Sequence, residues 1–180
     1  MKSSPWKNSI VGHAEVAPGE LVANDRNFRE HPRAQKAALA GAIEEIGFLR
    51  SLTVNQRSGR IIDGHLRLEL ALEKGEPTIP VEYVDLSEQE EAIALATVDP
   101  IAAMAMTNKQ ALQALLQDAQ VRDASLRDML ADLAQKNGLV LAGLNAHPNG
   151  LTDPDAPAKI VTQPLNSNSN VKPKGGEKNG

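Results

Sequence analysis

Arg60-Ile61-Ile62-Asp63-Gly64-His65-Leu66-Arg67 is the stretch whose reading decides the fold. Paired β-branched residues mark a buried strand, and Asp63-Gly64 ends it. From His65 the apolar period changes. Leu66, Leu70 and Ala71 share one helical face, and Gly75 closes a helix running from His65 to Lys74. A strand therefore passes into a helix across one glycine. The first N–H groups of such a helix have no intrahelical partner, and its dipole favours an anion there. Gly64 permits close approach to the backbone. Arg67, in the first turn, can add a charge-assisted fork to a phosphate. His65 can donate a hydrogen bond or shuttle a proton near neutral pH. Strand-glycine-helix turns are common, so a plain alternative stands beside this one. In it Gly64 only makes the turn, His65 is a satisfied surface residue, and Arg67 pairs with Asp63 or Glu69.

Working outward, Leu52-Thr53-Val54-Asn55 reads as the partner strand, joined through the turn Arg57-Ser58-Gly59. Before it, a helix is predicted from Pro32 to about Ile46, with Leu39, Ile43 and Ile46 on one face and Gly47 beyond its end. Gly19-Glu20-Leu21-Val22 is expected to form a short strand. Residues 1–15 read as a flexible leader, with Trp6 a candidate to pack back onto the domain. On the other side, Ile79 to Val84 is a strand. Ser87 and Glu90 form a capping box for a helix from about Glu88 to Val98, ending before Pro100. Thr107 and Gln110 suggest a second capping box. It introduces amphipathic helices at about Lys109–Gln120 and Ala124–Asn137. Acids outnumber bases between 86 and 137, which makes these helices a poor surface for reading DNA. Residues 141–180, rich in Pro, Asn, Ser, Gly and Lys, read as a disordered tail.

Bulk composition narrows the function classes. The chain has 180 residues, 41% hydrophobic but only 2% aromatic, so its core must be aliphatic. A net charge of −4 means that any nucleic-acid contact needs a local basic patch or a partner protein. Arg26, Arg29, Arg33 and Lys36 supply one candidate cluster. There is no cysteine, which removes disulfides, thiolate metal sites and cysteine nucleophiles. His13 and His147 form no ligand pair, and no zinc or haem is expected. No apolar h-region and no run approaching a membrane span is read, so a cytoplasmic location is expected.

The order of these elements, with two short motifs, resembles the N-terminal domain of ParB partition proteins, the ParB/sulfiredoxin-like superfamily. Asn24-Asp25-Arg26-Asn27-Phe28-Arg29 is similar to the family's first motif, of the Asn-Pro-x-Gln-Pro-Arg type. Asn24 and Arg29 match it. Gly64-His65-Leu66-Arg67 through Ala71 is similar to the second, Gly-Glu-Arg-Arg-x-x-Ala, at Gly64, Arg67 and Ala71. The run Asp63-Gly64-His65-Leu66-Arg67 further resembles a subgroup found in phage and mobile-element proteins and associated with DNA methyltransferases. The resemblance implies an α+β domain over 16–105, a small mixed sheet with surrounding helices. A helical extension over 106–140 follows it. It also implies a nucleotide, CTP or another nucleoside triphosphate with Mg²⁺, held by Asn24, Arg26, Arg29, Gly64, His65, Leu66 and Arg67. DNA would be met directly or through a partner such as a methyltransferase, and a homodimer is among the assemblies allowed.

Departures from the family matter as much. Its third motif, Glu-Asn-x-x-Arg, falls on Leu95-Ala96-Thr97-Val98-Asp99-Pro100, where the metal-binding pair and the Arg are gone. Asp99 is left as a candidate metal ligand, or as the end of its helix. Sulfiredoxin chemistry needs a cysteine where His65 stands. Asp99-Pro100 lacks the aromatic and the glycine-rich loop of a methyltransferase. Three function classes remain: a nucleotide- or phosphate-binding module in DNA-related processes, a metal-dependent nuclease or nucleotide hydrolase with His65 and Asp63 catalytic, and a non-catalytic scaffold.

Overall fold

The computed structural model describes residues 5–140. The tail expected over 141–180 and the first four residues of the expected leader lie outside the described residues. The strands are β1 (Ile10–Val16), β2 (Leu52–Asn55), β3 (Arg60–Asp63) and β4 (Ile79–Val84). The helices are α1 (Arg33–Ile46), α2 (His65–Lys74), α3 (Glu88–Ala103), α4 (Lys109–Asp118) and α5 (Ala124–Lys136). The strands form one mixed sheet in the order β1-β4-β2-β3. β2 and β3 make the expected hairpin, β4 runs parallel to β2, and β1 runs antiparallel to β4. This is the α+β architecture of a small mixed sheet with helices around it.

The adjacent isoleucines explain how the sheet is covered. Successive strand residues face opposite sides. Ile61 packs with Leu52, Val54, Ile79 and Val81 against Leu68 and Ala71 of α2. Ile62, next in sequence, joins Val84 and Leu95 of α3 on the other side. Both faces are buried, so β3 needs apolar residues at consecutive positions. The β3–α2 turn is thereby pinned between two packed layers.

Four expectations need correction. The first strand begins at Ile10, inside the stretch read as a flexible leader. It is an edge strand whose residues are mostly exposed, so it carries little hydrophobic pattern. Its pairing partner lies some seventy residues away. Residues Pro18–Glu20 form a 3₁₀ turn where a strand was expected, and Val22 makes only an isolated bridge to Arg60. Trp6 is fully exposed. Finally, α3 runs through Pro100 to Ala103. The proline removes one helical N–H, but Ala96 and Pro100 are both exposed, and water can meet the carbonyl left open.

The Ser87–Glu90 capping box forms as expected. At α4 the cap is Asn108, whose side chain accepts the Ala111 N–H, and not Thr107. α5 packs along α1. The Asp123 carboxylate that caps α5 sits where a Cβ on Gly41 would stand, only 2.1 Å away. Glu45 of α1 accepts the N–H groups of Arg122 and Asp123 at 2.6 and 2.9 Å. Among the described residues no helix is long and apolar enough to cross a membrane.

Candidate functional site

The β3–α2 turn opens onto a cleft of about 560 Å³. Its polar wall is Arg29, Arg50, Asp63, His65 and Arg67, with Asp99 from α3 at the rim. Its apolar wall comes from Ala38, Leu39 and Ala42 of α1 and Met129 of α5. The first turn of α1 also lines it, through Pro32, Ala34 and Gln35. The cleft thus joins a cationic end to an aliphatic one, the arrangement expected for a ligand with a charged group and an apolar body.

Gly64 is left-handed at φ 103°, which disfavours any residue with a Cβ. A Cβ there would stand 2.7 Å from Leu52 Cγ and 3.0 Å from Arg67 Nη2. Those atoms belong to the core and to the site's own arginine. The glycine is therefore required by packing, whereas the sequence suggested ligand approach as its reason.

The N–H of Leu68 is the first in α2 to bond within the helix, to Gly64 O. Arg67 Nη2 donates to Asp63 Oδ2 at 2.8 Å, both side chains being largely buried. Arg67 Nε is buried with no acceptor. Arg50 reaches the same Asp63 oxygen only at 4.0 Å and is mostly exposed. Arg29 lies over the Phe28 ring and donates from Nη2 to Leu95 O at 3.3 Å. Its Nε stands 2.5 Å from Asp99 Oδ2, but the N–H is not aligned with that oxygen.

His65 Nε2 accepts the Asn24 N–H at 3.2 Å, and Nδ1 is buried without a partner. Burial, then the charge of Arg29, hold the imidazole below its ordinary pKa of 6.5, with Asp63 opposing and His31 assisting. Pro32 occupies the cap position, and His31 Nδ1 meets Gln35 Oε1 at 3.1 Å.

Of the residues expected to bind a ligand, Arg29, Gly64, His65, Leu66 and Arg67 line this cleft, with Asp63 and Asp99. Leu66 does so while its side chain is buried. Asn24 and Arg26 do not. They line a second cleft of about 510 Å³, together with Asn55, Ser58 and Glu91. Asn24 is buried, and its side chain is spent inside the protein. Oδ1 accepts the Arg26 N–H at 3.0 Å and Nδ2 donates to Glu91 Oε1 at 2.8 Å. Glu91 also accepts from Asn55 Nδ2 at 2.5 Å and Ser58 Oγ at 2.7 Å. Burial opposes its ionisation, yet the bonds from Ser58, Asn55 and Asn24, with Arg26 nearby, outweigh it. The carboxyl is held below its ordinary 4.5.

Lys36, placed with the basic cluster in the sequence, bridges Glu69 and Glu73 of α2 at 2.6 and 2.5 Å. Asp99, expected as a metal ligand, stands in the ion pair with Arg29. Among the described residues no three His, Asp or Glu side chains gather to hold a metal ion. The unpartnered buried nitrogens of Arg67 and His65 are compatible with an anionic oxygen.

Sequence reasoning missed three contributors. Met129 and Arg50 reach the cleft by tertiary packing alone. Glu91, beside the Glu90 cap, is not singled out by the sequence reading. A signal existed at Asn55, a polar residue at the end of a strand that carries Leu52 and Val54, which needs a partner when buried.

No protein-family model matches the chain, and no curated protein is similar to it. Among solved structures, the chain is similar to the C-terminally truncated chromosome-partitioning protein ParB from Caulobacter crescentus complexed with CTP-gamma-S. Sequence identity is 18%, the TM-score is 0.49, and the match covers 69% of this chain and 79% of that one. It is also similar to two structures of a pNOB8-like ParB N-domain. These share 17% and 18% identity, with TM-scores of 0.45 and 0.44, over 73% and 75% of this chain. The chain spans about half the length of those two, 51% and 49%.

Proposed function

We propose that this chain is a ParB-like nucleotide- or phosphate-binding module, its ligand's phosphates lying at the first turn of α2 between Arg29 and Arg67. One observation supports the reading above the others. Arg67 Nε is a charged donor shielded from water with no acceptor in the protein, and it lies beside a helix start whose own N–H groups are open. Leaving such a donor unmade costs on the order of 1–3 kcal/mol, more for a charged group, and an incoming phosphate oxygen would recover that. The aliphatic wall from α1 and α5 would take the nucleoside.

Motif order carries the wider setting. In this reading the ligand is CTP or another nucleoside triphosphate, with Mg²⁺ accompanying it. The module works in the cytoplasm in DNA modification or in phage or plasmid maintenance. It reaches DNA directly or through a partner such as a methyltransferase, alone or as a homodimer.

The test is calorimetric titration of CTP, ATP and GTP with Mg²⁺ into the full chain and into Arg67→Ala. At least one nucleotide is expected to bind with micromolar affinity. Losing one charge-assisted bond of roughly 1.5–3 kcal/mol should weaken it about 10- to 150-fold in the variant. Equal binding by both proteins, or none by the native chain, would overturn the reading. A scaffold role is favoured by a different observation, the exposed apolar residues at and just beyond the end of α3, Ile101, Met104 and Met106. Absence of nucleotide binding would leave that reading standing.

A further inference from the structure

Asn24 connects the two clefts. Its carbonyl accepts the Asn27 N–H at 3.0 Å, closing a tight turn. Its side chain is tied to Arg26 N–H on one side and to the buried Glu91 on the other. Glu91 is in turn held by Asn55 and Ser58. Every polar group of Asn24 except its N–H is thus used to fix the turn, and that N–H is delivered to His65 Nε2 at 3.2 Å. A backbone N–H can bond a ring nitrogen only through an unprotonated lone pair. The proton of the neutral ring must then sit on Nδ1. That nitrogen has no acceptor in the protein.

We infer that Asn24, anchored by Glu91, is a positioning residue that fixes His65 as a neutral Nδ1–H donor for an oxygen of the cleft's ligand. A general base needs an available unprotonated nitrogen, and the one His65 has is occupied by Asn24. The imidazole therefore serves recognition, and the acid–base role that a nuclease or hydrolase would require of it is blocked. The charged or titratable groups acting on the ring are Arg29, Asp63 and His31. The donor role rests on the binding reading above, whereas the tautomer belongs to the free protein.

The experiment is two-bond ¹H–¹⁵N correlation on the full chain with ¹⁵N-labelled histidine, His65 being assigned by the loss of its signals in His65→Gln. The free protein is expected to show Nδ1 in the protonated range and Nε2 in the unprotonated range. The reverse pattern, or an averaged one, overturns the inference whether or not any variant folds. Asn24→Ala keeps the backbone N–H but cuts the anchor. With its fold checked by circular dichroism, it should show averaged nitrogen shifts and a His65 titration moved up towards 6.5. An unchanged pattern there removes the positioning role.

Inorganic pyrophosphate is the ligand probe, its binding followed in parallel by calorimetry. A downfield shift of the Nδ1 proton on binding is expected. Binding with no change at Nδ1 overturns the donor role alone. No binding at all overturns the phosphate reading and the donor role with it, and leaves the tautomer result intact.

Discussion

The cleft at Gly64–Arg67 and the cleft at Glu91 meet at Asn24, yet they treat buried polar atoms in opposite ways. Around Glu91, both carboxylate oxygens and the amides of Asn24 and Asn55 are engaged. In the Arg67 cleft three buried side-chain nitrogens, Arg29 Nε, His65 Nδ1 and Arg67 Nε, have no hydrogen-bond partner. A buried polar group with its partners supplied holds a fold in one arrangement. One without them is a standing cost that a native protein tolerates where something else supplies the partner. In the proposed reading, that difference makes the Glu91 cleft structural and the Arg67 cleft the place for a ligand.

Breaking the closed network should cost most. Glu91→Leu would leave the buried Asn24 amide without its acceptor and the Asn55 amide with only Leu86 O. A loss of about 3 kcal/mol or more is expected in urea unfolding, from on the order of 1–3 kcal/mol per stranded donor. A loss below about 1 kcal/mol would mean that the network is dispensable. The pH dependence follows with a definite sign. The Glu91 carboxyl is held below 4.5 in the fold, so its stabilisation is complete above that pH. It drains away as the pH falls through the lower, folded value. The native chain should show this acid component and Glu91→Leu should lack it.

An intermediate effect is expected at the α1–α5 junction, which supplies the apolar wall of the ligand cleft. Asp123→Ala removes the α5 cap and should cost about 1 kcal/mol. By loosening Met129 it should also weaken nucleotide binding more than pyrophosphate binding. Equal weakening would separate α5 from the cleft. The smallest stability change is expected at Asp99, half exposed and paired with Arg29. Asp99→Ala should alter unfolding by less than about 0.5 kcal/mol. Because it frees Arg29, it should tighten pyrophosphate binding a few-fold by calorimetry. Weaker binding would show that the pair positions Arg29 for the ligand.

Much of this was legible from residues 52 to 84, because the information there is local. Alternation, paired isoleucines and glycines at the turns fix strands and a helix whose period changes at His65. The predicted limits of α2 and β4 agree with the observed ones. β1 was not legible because an edge strand with most of its residues exposed has almost no pattern. The extent of α3 was misread because proline ends a helix only where its lost hydrogen bond cannot be replaced. Within the site, Arg29, His65 and Arg67 were found through short motifs. Arg26 lines the Glu91 cleft, and Asn24 lines both that cleft and a third one that it shares with Arg29 and His65, because nearness in sequence to Arg29 says nothing of which side of the turn a side chain takes.

By itself, then, the sequence determined the strand-glycine-helix turn at 60–67, the aliphatic make-up of the core, and the absence of thiol chemistry. These follow from residue type and spacing, which act over a few residues. Only the tertiary structure decided that Asp99 pairs with Arg29, that Gly64 answers to Leu52 and Arg67, and that α5 walls the cleft. It also decided that Asn24 turns a hydrogen bond onto His65. Each of these joins atoms distant in sequence or sets which atom of a side chain is left unpaired. That is settled only when the chain has packed and water has been excluded.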